Sequence, residues 1–230
     1  MTDLLLATTN PKKLEELQRI LDGELGARRV RLLGLRDLEG YPDVPETGLT
    51  FGENALLKAR TGRERTGLPT VADDSGLAVD ALNGMPGVFS ARWAGKHGDD
   101  RANLELVLAQ VSDVPEEHRG AAFVCAAALV LPNGREHLVE GRQTGRLLRA
   151  ARGTGGFGYD PIFLGDGQDR TNAELTPDEK DAISHRGRGH PNPPGPEAAN
   201  PDRPWWRPNP HPRQAVTAEL GTRPGRRDVG

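Results

Sequence analysis

Two adjacent carboxylates, Asp73 and Asp74, stand before Ser75-Gly76 and between two apolar runs. Neighbouring carboxylates repel unless a cation or a lysine lies close. Their hard oxygens suit Mg2+, which commonly joins one or two carboxylates to substrate phosphates; a plain acidic turn is the simpler alternative. Upstream, Thr8-Thr9-Asn10-Pro11-Lys12-Lys13 has the pattern of a turn entering a helix. Free backbone N–H groups and the helix dipole at such a point suit phosphate, and Lys12 and Lys13 add charge. Taken alone, this cluster reads first as an ordinary capped helix with solvated lysines. A third cluster runs from Glu46 through Thr50 to Glu53 and Asn54, followed by Lys58. Asn54 and Lys58 are one helical turn apart and share a face, either a site or a solvated polar stripe. The fourth, Gly153-Thr-Gly-Gly-Phe-Gly-Tyr-Asp-Pro161, matches G-x-G-x-x-G. A dinucleotide fingerprint must open a helix within a βαβ unit, whereas Pro161 and an extended-looking Ile162-Phe163-Leu164 follow here. A glycine-rich loop carrying Phe157, Gly158, Tyr159 and Asp160 better suits a flat ring. Lys180, Ser184, His185 and Arg186 add a basic group downstream. A phosphate cradle, metal-binding carboxylates and an aromatic-basic pocket together spell a nucleoside phosphate site without a P-loop.

The elements that must position these residues follow from periodicity. Leu4 to Thr8 reads as a buried strand and Val30 to Leu35 as a second. Between them, Asn10 and Pro11 suit an N-cap and first helical position, with Leu14, Leu17 and Leu21 at helical spacing. Phe51 to Arg65 reads as a helix, and Thr70 to Ala72 as a brief strand ending at Asp73-Asp74. Asp99 is placed to cap a helix with Leu104, Val107, Leu108 and Val111 on one face. Ala121 to Leu131 and Glu136 to Gly141 form a hairpin through Pro132-Asn133-Gly134. Thr176-Pro-Asp-Glu179 is a capping box opening a further helix. Alternating helices and strands followed by a hairpin imply an α/β fold on a mixed sheet.

Composition narrows the function. The chain has 230 residues and a formal net charge of −3, so no global positive field points to nucleic acid or to an anionic membrane. No apolar stretch reaches the ~20 residues of a membrane helix, and no targeting segment precedes the first strand. Cys125 is the single cysteine, within an apolar run; it reads as a buried structural thiol and fits a reducing cytoplasm. From residue 190 the character changes. Residues 190–230 hold 10 of the 19 prolines and, of the large aliphatics and Phe, only Val216, Leu220 and Val229. That stretch buries too little apolar surface to offset its ordering entropy. The expected division is a domain over 1–189 and an irregular Pro/Arg-rich tail over 190–230, in which Trp205-Trp206 could anchor and Pro191 to Pro194 match a loose polyproline pattern.

The chain resembles the inosine triphosphate pyrophosphatase family, the XTP/dITP diphosphatases. The resemblance rests on Thr8 to Lys13, Glu46-Thr-Gly-Leu-Thr-Phe with Glu53-Asn54 and Lys58, Ala72-Asp-Asp-Ser-Gly-Leu-Ala-Val79, Pro86-Gly-Val with Ser90-Ala-Arg92, Gly153 to Phe163, and Ser184-His-Arg-Gly187. It spans roughly residues 3 to 189. It implies a two-lobed α/β fold with a long mixed sheet, a cleft between lobes, and usually a homodimer. It also implies Mg2+-dependent hydrolysis of dITP, ITP and XTP to the monophosphate and pyrophosphate. By position, Asp74 would be the general base and a metal ligand, with Glu46 and Asp73 as further acidic groups near the metal. Thr8, Thr9, Asn10, Pro11, Lys12 and Lys13 would hold phosphates, and Lys58 would neutralise charge there. Ser75, Phe157, Gly158, Tyr159, Asp160, Lys180, His185 and Arg186 would bind the substrate, the later ones at the base. A 6-oxo purine offers an acceptor where adenine offers a donor, so a donor such as Arg186 would be left unpaired by ATP. After Gly187 the family's apolar closing helix is replaced by the Pro/Arg-rich tail, which a reading-frame change would explain. The alternative is a nucleotide-binding protein of the same fold whose catalysis is impaired by that replacement.

Overall fold

The alanine-rich run Gly120–Val130 forms the spine of a mixed sheet, since its small side chains let a helix lie close on one face. The structure, a computed structural model, describes residues 2–8, 13–15, 17–18, 30–41, 44–176 and 179. Among these the elements are β1 (Thr2–Leu6), β2 (Val30–Gly34), α1 (Phe51–Thr66), β3 (Thr70–Val79), α2 (Asp100–Gln110), β4 (Gly120–Val130), β5 (Glu136–Leu147) and β6 (Phe163–Gly165), with short 3-10 turns between them. Residues 13–15 and 17–18 are helical, as their leucine spacing predicts. The strand order is β2-β1-β3-β4-β5-β6. β2, β1 and β3 run parallel, and β3 to β6 are antiparallel, which is the mixed sheet expected.

α1 starts at Thr50, whose side chain accepts from Glu53 N while Glu53 Oε2 accepts from Thr50 N. It ends at Gly67 in the left-handed conformation. Its Ala55 and Ala59 pack on Ala72, Ala126 and Ala128. α2 begins at Asp99, whose carboxylate accepts from Ala102 N, and packs Val107 and Val111 with Leu77, Val79, Ile162 and Phe163. Alternate residues of β3 thus serve two cores, one with α1 and one with α2.

Two expectations about extent are corrected. β3 does not stop at Asp73-Asp74; it continues through the polar Asp-Asp-Ser-Gly to Val79. Those four residues are poor strand formers, yet unbroken pairing with β4, from Thr70↔Val130 to Val79↔Ala121, carries the strand through them. β5 likewise runs on to Leu147, pairing with β4 as far as Arg146↔Gly120 and with β6. The predicted turn at Asn133-Gly134 is present, with Gly134 at φ +83°. Thr176 and Glu179 make the reciprocal bonds of the predicted capping box. The chain divides at His190 and Pro191; residues 180–230, and with them the tail and its tryptophans, lie outside the described residues. Among the described residues no helix is long and apolar enough to cross a membrane.

Candidate active site

Among the described residues β1 pairs with β3 at Leu5↔Thr70 and Leu6↔Val71, and Ala7 N then reaches Val71 O at 2.8 Å. Further along the same edge, Pro86 bridges Ala78 and Leu77 N donates to Ser90 Oγ at 2.9 Å. Between these two contacts β3 passes through the Asp73 to Ser75 stretch. It faces a cavity of about 1130 Å3 whose lining includes Thr8, Lys13, Glu46, Lys58, Asp74 and Phe157. The cavity sits beyond the carboxyl end of β1, where β2 and β3 diverge to either side, the usual place for a ligand in a partly parallel α/β sheet.

Strand alternation turns Asp73 and Asp74 to opposite faces, so each finds its own cation. Lys13 Nζ lies 2.8 Å from Asp73 Oδ2, and the Cys125 thiol, buried as expected, lies 3.9 Å from the same oxygen. Asp74 is 7% exposed. It accepts from Asn54 Nδ2 at 3.1 Å and faces Lys58 Nζ at 3.4 Å. Lys58 leans towards Glu46, at 2.8 Å, and Arg92 reaches the other oxygen of Glu46 at 3.4 Å. This asymmetry sets the electrostatics. Burial pushes the Asp74 carboxyl above its ordinary value, Lys58 offsets part of that, and Glu46 adds to it. Burial also works against Glu46, but Lys58 and Arg92 outweigh it and hold that carboxyl low. Lys58 stays charged, because Asp74 and Glu46 together overcome its desolvation. One carboxylate is thereby satisfied by ions, and its neighbour is left the better proton acceptor.

The small residues behind α1 make this approach possible. A Cβ on Gly62 would lie 2.6 Å from Thr70 Cγ2 and 3.0 Å from Leu5 Cδ2. α1 therefore lies close to the sheet there, and its Asn54 and Lys58 reach Asp74 directly.

The glycine-rich loop closes another side of the cavity and is held by two of its backbone N–H groups and one phenol. Gly158 N donates to Asp100 Oδ2 at 2.9 Å, Phe157 N to Asp160 Oδ2 at 2.8 Å, and Tyr159 Oη to Ser90 O at 2.8 Å. Asp160 and Tyr159 are buried. Tyr159 belongs to the α2 core as much as to the cavity wall, and burial raises its phenol above the ordinary value.

Of the expected site residues, the structure brings Thr8, Lys13, Glu46, Lys58, Asp74, Ser75, Phe157, Gly158, Tyr159 and Asp160 to one cavity. Asp73 adjoins it through Lys13. Thr9, Asn10, Pro11, Lys12, Lys180, His185 and Arg186 lie outside the described residues. Four residues were given no role by sequence reasoning: Asn54, Ser90, Arg92 and Asp100. The Asn54 to Lys58 spacing already pointed to the first; nothing local to the other three signals their partners. Among the described residues no three acidic, His or Cys side chains group as a ready metal site. Glu46 and Asp74, held together by Lys58, fit a cation such as Mg2+, which takes one or two carboxylates and completes its shell with phosphate and water. Asp73 is turned from that pair.

A model of the Ham1 family matches residues 4–190. The dITP/XTP pyrophosphatase of Corynebacterium efficiens is 62% identical over 191 residues, covering 80% of this chain and 92% of the relative. That of Streptomyces coelicolor is 61% identical over 188 residues, 82% of this chain and 93% of the relative. Among solved structures, a dITP/XTP pyrophosphatase from Mycobacterium abscessus superposes with a TM-score of 0.70 at 60% identity, covering 81% of this chain and 96% of its own. A HAM1 protein from Coxiella burnetii gives 0.74 at 43% identity, covering 81% and 93%.

Proposed function

The chain belongs to the Ham1 family, and we propose that it hydrolyses non-canonical purine nucleoside triphosphates (dITP, XTP and ITP) to the monophosphate and pyrophosphate, clearing them from the nucleotide pool. The observation that carries the reading is Asp74: a buried carboxylate with raised proton affinity, lining the cavity beside a charged lysine. In the proposed step Asp74 accepts a proton from water as the water oxygen bonds to the α-phosphorus. The bond from that phosphorus to the bridging oxygen breaks, and pyrophosphate leaves with the electron pair. Lys58 neutralises phosphate charge, and Lys13, with Thr8, sits where the phosphates pass. Phosphoryl transfer needs such positioning and neutralisation more than covalent help. Glu46 and Asp74 would hold Mg2+, whose chemistry there is charge neutralisation on the phosphate oxygens. Phe157 and the loop to Asp160 would receive the base. The reading includes a cytoplasmic homodimer; a lone buried cysteine suits a reducing compartment.

The test is pyrophosphate release from dITP, ATP and GTP with Mg2+ at mildly alkaline pH, for wild type and Asp74→Asn. The expected result is dITP turnover at least ~100-fold above ATP in kcat/KM. It should fall roughly 10³-fold in kcat in the variant, within the span general-base removal gives. A folded wild type that binds dITP but releases no pyrophosphate would instead establish a nucleotide binder with impaired catalysis.

A further inference from the structure

We propose that Arg36 reads the terminal phosphates of the substrate and the departing pyrophosphate. The inference rests on the hydrolytic reading above and adds to it a residue that no motif singled out. Four Lys and Arg side chains line the cavity among the described residues: Lys13, Arg36, Lys58 and Arg92. Three are engaged: Lys13 with Asp73, Lys58 with Glu46 and Asp74, and Arg92 with Glu46. Those three cations are shared with three carboxylates, whereas Arg36 has no acidic partner among the described residues to share with a phosphate. Arg36 makes no ion pair with any described residue; it is exposed and lines the cavity.

Its place in the fold gives it a particular part of the substrate. Arg36 follows β2, Thr8 follows β1, and Asp74 lies within β3 just past the Leu6↔Val71 pair, so strand order sets them in that sequence across the sheet. Leu35 N donates to Thr8 O at 3.4 Å, which ties the Arg36 turn to the Thr8 turn. The aromatic loop enters the cavity from the α2 side, through Asp100 and Ser90. With the base there and the reacting phosphorus at Asp74, the distal phosphates point to Thr8 and Arg36. A terminal phosphate carries roughly −1.5 to −2 at neutral pH, and a planar guanidinium can take two of its oxygens at once.

The experiment compares wild type, Arg36→Ala and Arg36→Lys in calorimetric titrations with pyrophosphate and with dIMP, in Mg2+, alongside dITP kinetics. Thermal melts confirm folding. Arg36→Ala should weaken pyrophosphate binding about tenfold and leave dIMP binding within about twofold. The KM for dITP should rise in step, and Arg36→Lys should recover part of the loss. Unchanged pyrophosphate affinity, equal losses for both products, or a wild type that does not bind pyrophosphate would overturn the assignment. Pyrophosphate binding that depends on Arg36 in a protein without dITP turnover would retain it and sink the hydrolytic reading instead.

Discussion

The two ends of the cavity are built from different forces. Around Asp74 the parts are ions on rigid elements: Lys58 and Asn54 on α1, Asp74 on β3, with Glu46 drawn in by Lys58. Around Phe157 the parts belong to a loop: the Phe157 and Gly158 N–H groups donate to the Asp160 and Asp100 carboxylates, and the Tyr159 hydroxyl donates to Ser90 O. The packing behind them differs as well. Alanines lie between α1 and the sheet, whereas Leu77, Val79, Val107, Ile162 and Phe163 fill the α2 side. Close packing of small residues holds the charges in one arrangement, which is what proton transfer and phosphate neutralisation require. A loop held by hydrogen bonds, without ion pairs on a rigid helix and strand, can adjust to a ring. Damage at the ionic end should therefore appear in kcat and its pH profile. Damage at the loop end should appear in KM.

The sharpest way to break that contrast is Lys58→Met. It removes a phosphate neutraliser and leaves Glu46 and Asp74 without their shared cation, so kcat should fall roughly 100-fold. The sign of the pH effect is fixed. Asp74 works as a base only when ionised, and Lys58 lowers its pKa against burial. Without Lys58 that pKa rises further, so activity should be lost at a higher pH on acidification than in wild type. A pH–rate profile with an unmoved or lowered acid limb would show that Asp74 is not the group being titrated. Next in size is a pair of glycine variants read by urea unfolding. Gly62→Val drives side-chain atoms into Thr70 and Leu5 behind the ionic end, at a cost of ~2–3 kcal/mol. Gly158→Ala meets no atom within 4 Å of its Cβ but sits at φ +60°, so it should cost ~1 kcal/mol of backbone strain. Equal losses would mean the two ends are packed alike.

What was legible in the sequence follows the same divide. Residues whose chemistry is stated by type and local spacing were found: Asp74, Glu46, Lys58 and the glycine-rich loop. So were elements with their own signals, such as the Asp99 cap, the Asn133-Gly134 turn and the Thr176–Glu179 box. The Thr50–Glu53 box carries the same signature and was equally available. Beyond reach were features decided by partners distant in the chain. β3 passes through Asp-Asp-Ser-Gly because β4 pairs with all of it, against the propensity of those residues. Adjacent carboxylates suggested one shared metal site, but extended backbone turns them to opposite faces, where different lysines meet them. Asp100 finds Gly158 across 58 positions, and Arg92 finds Glu46 across 46. No local pattern encodes such pairings.

The smallest effect is expected at Asp100, and it tests the loop half of the contrast most directly. Its carboxylate holds the Gly158 N–H at 2.9 Å from the first turn of α2. Because the pair is solvent-exposed, its loss should be modest: Asp100→Ala should raise the KM for dITP about threefold and leave the acid limb of kcat in place. Asp100→Asn keeps an acceptor oxygen and should restore most of the affinity. This rescue separates a hydrogen-bonding role from a general effect of charge near the nucleotide. Removing a negative charge would by itself favour binding of an anion, so the charge effect and the latch effect have opposite signs in KM. A fall in KM for both variants would show that Asp100 acts as a repelling charge and that the loop does not depend on this bond.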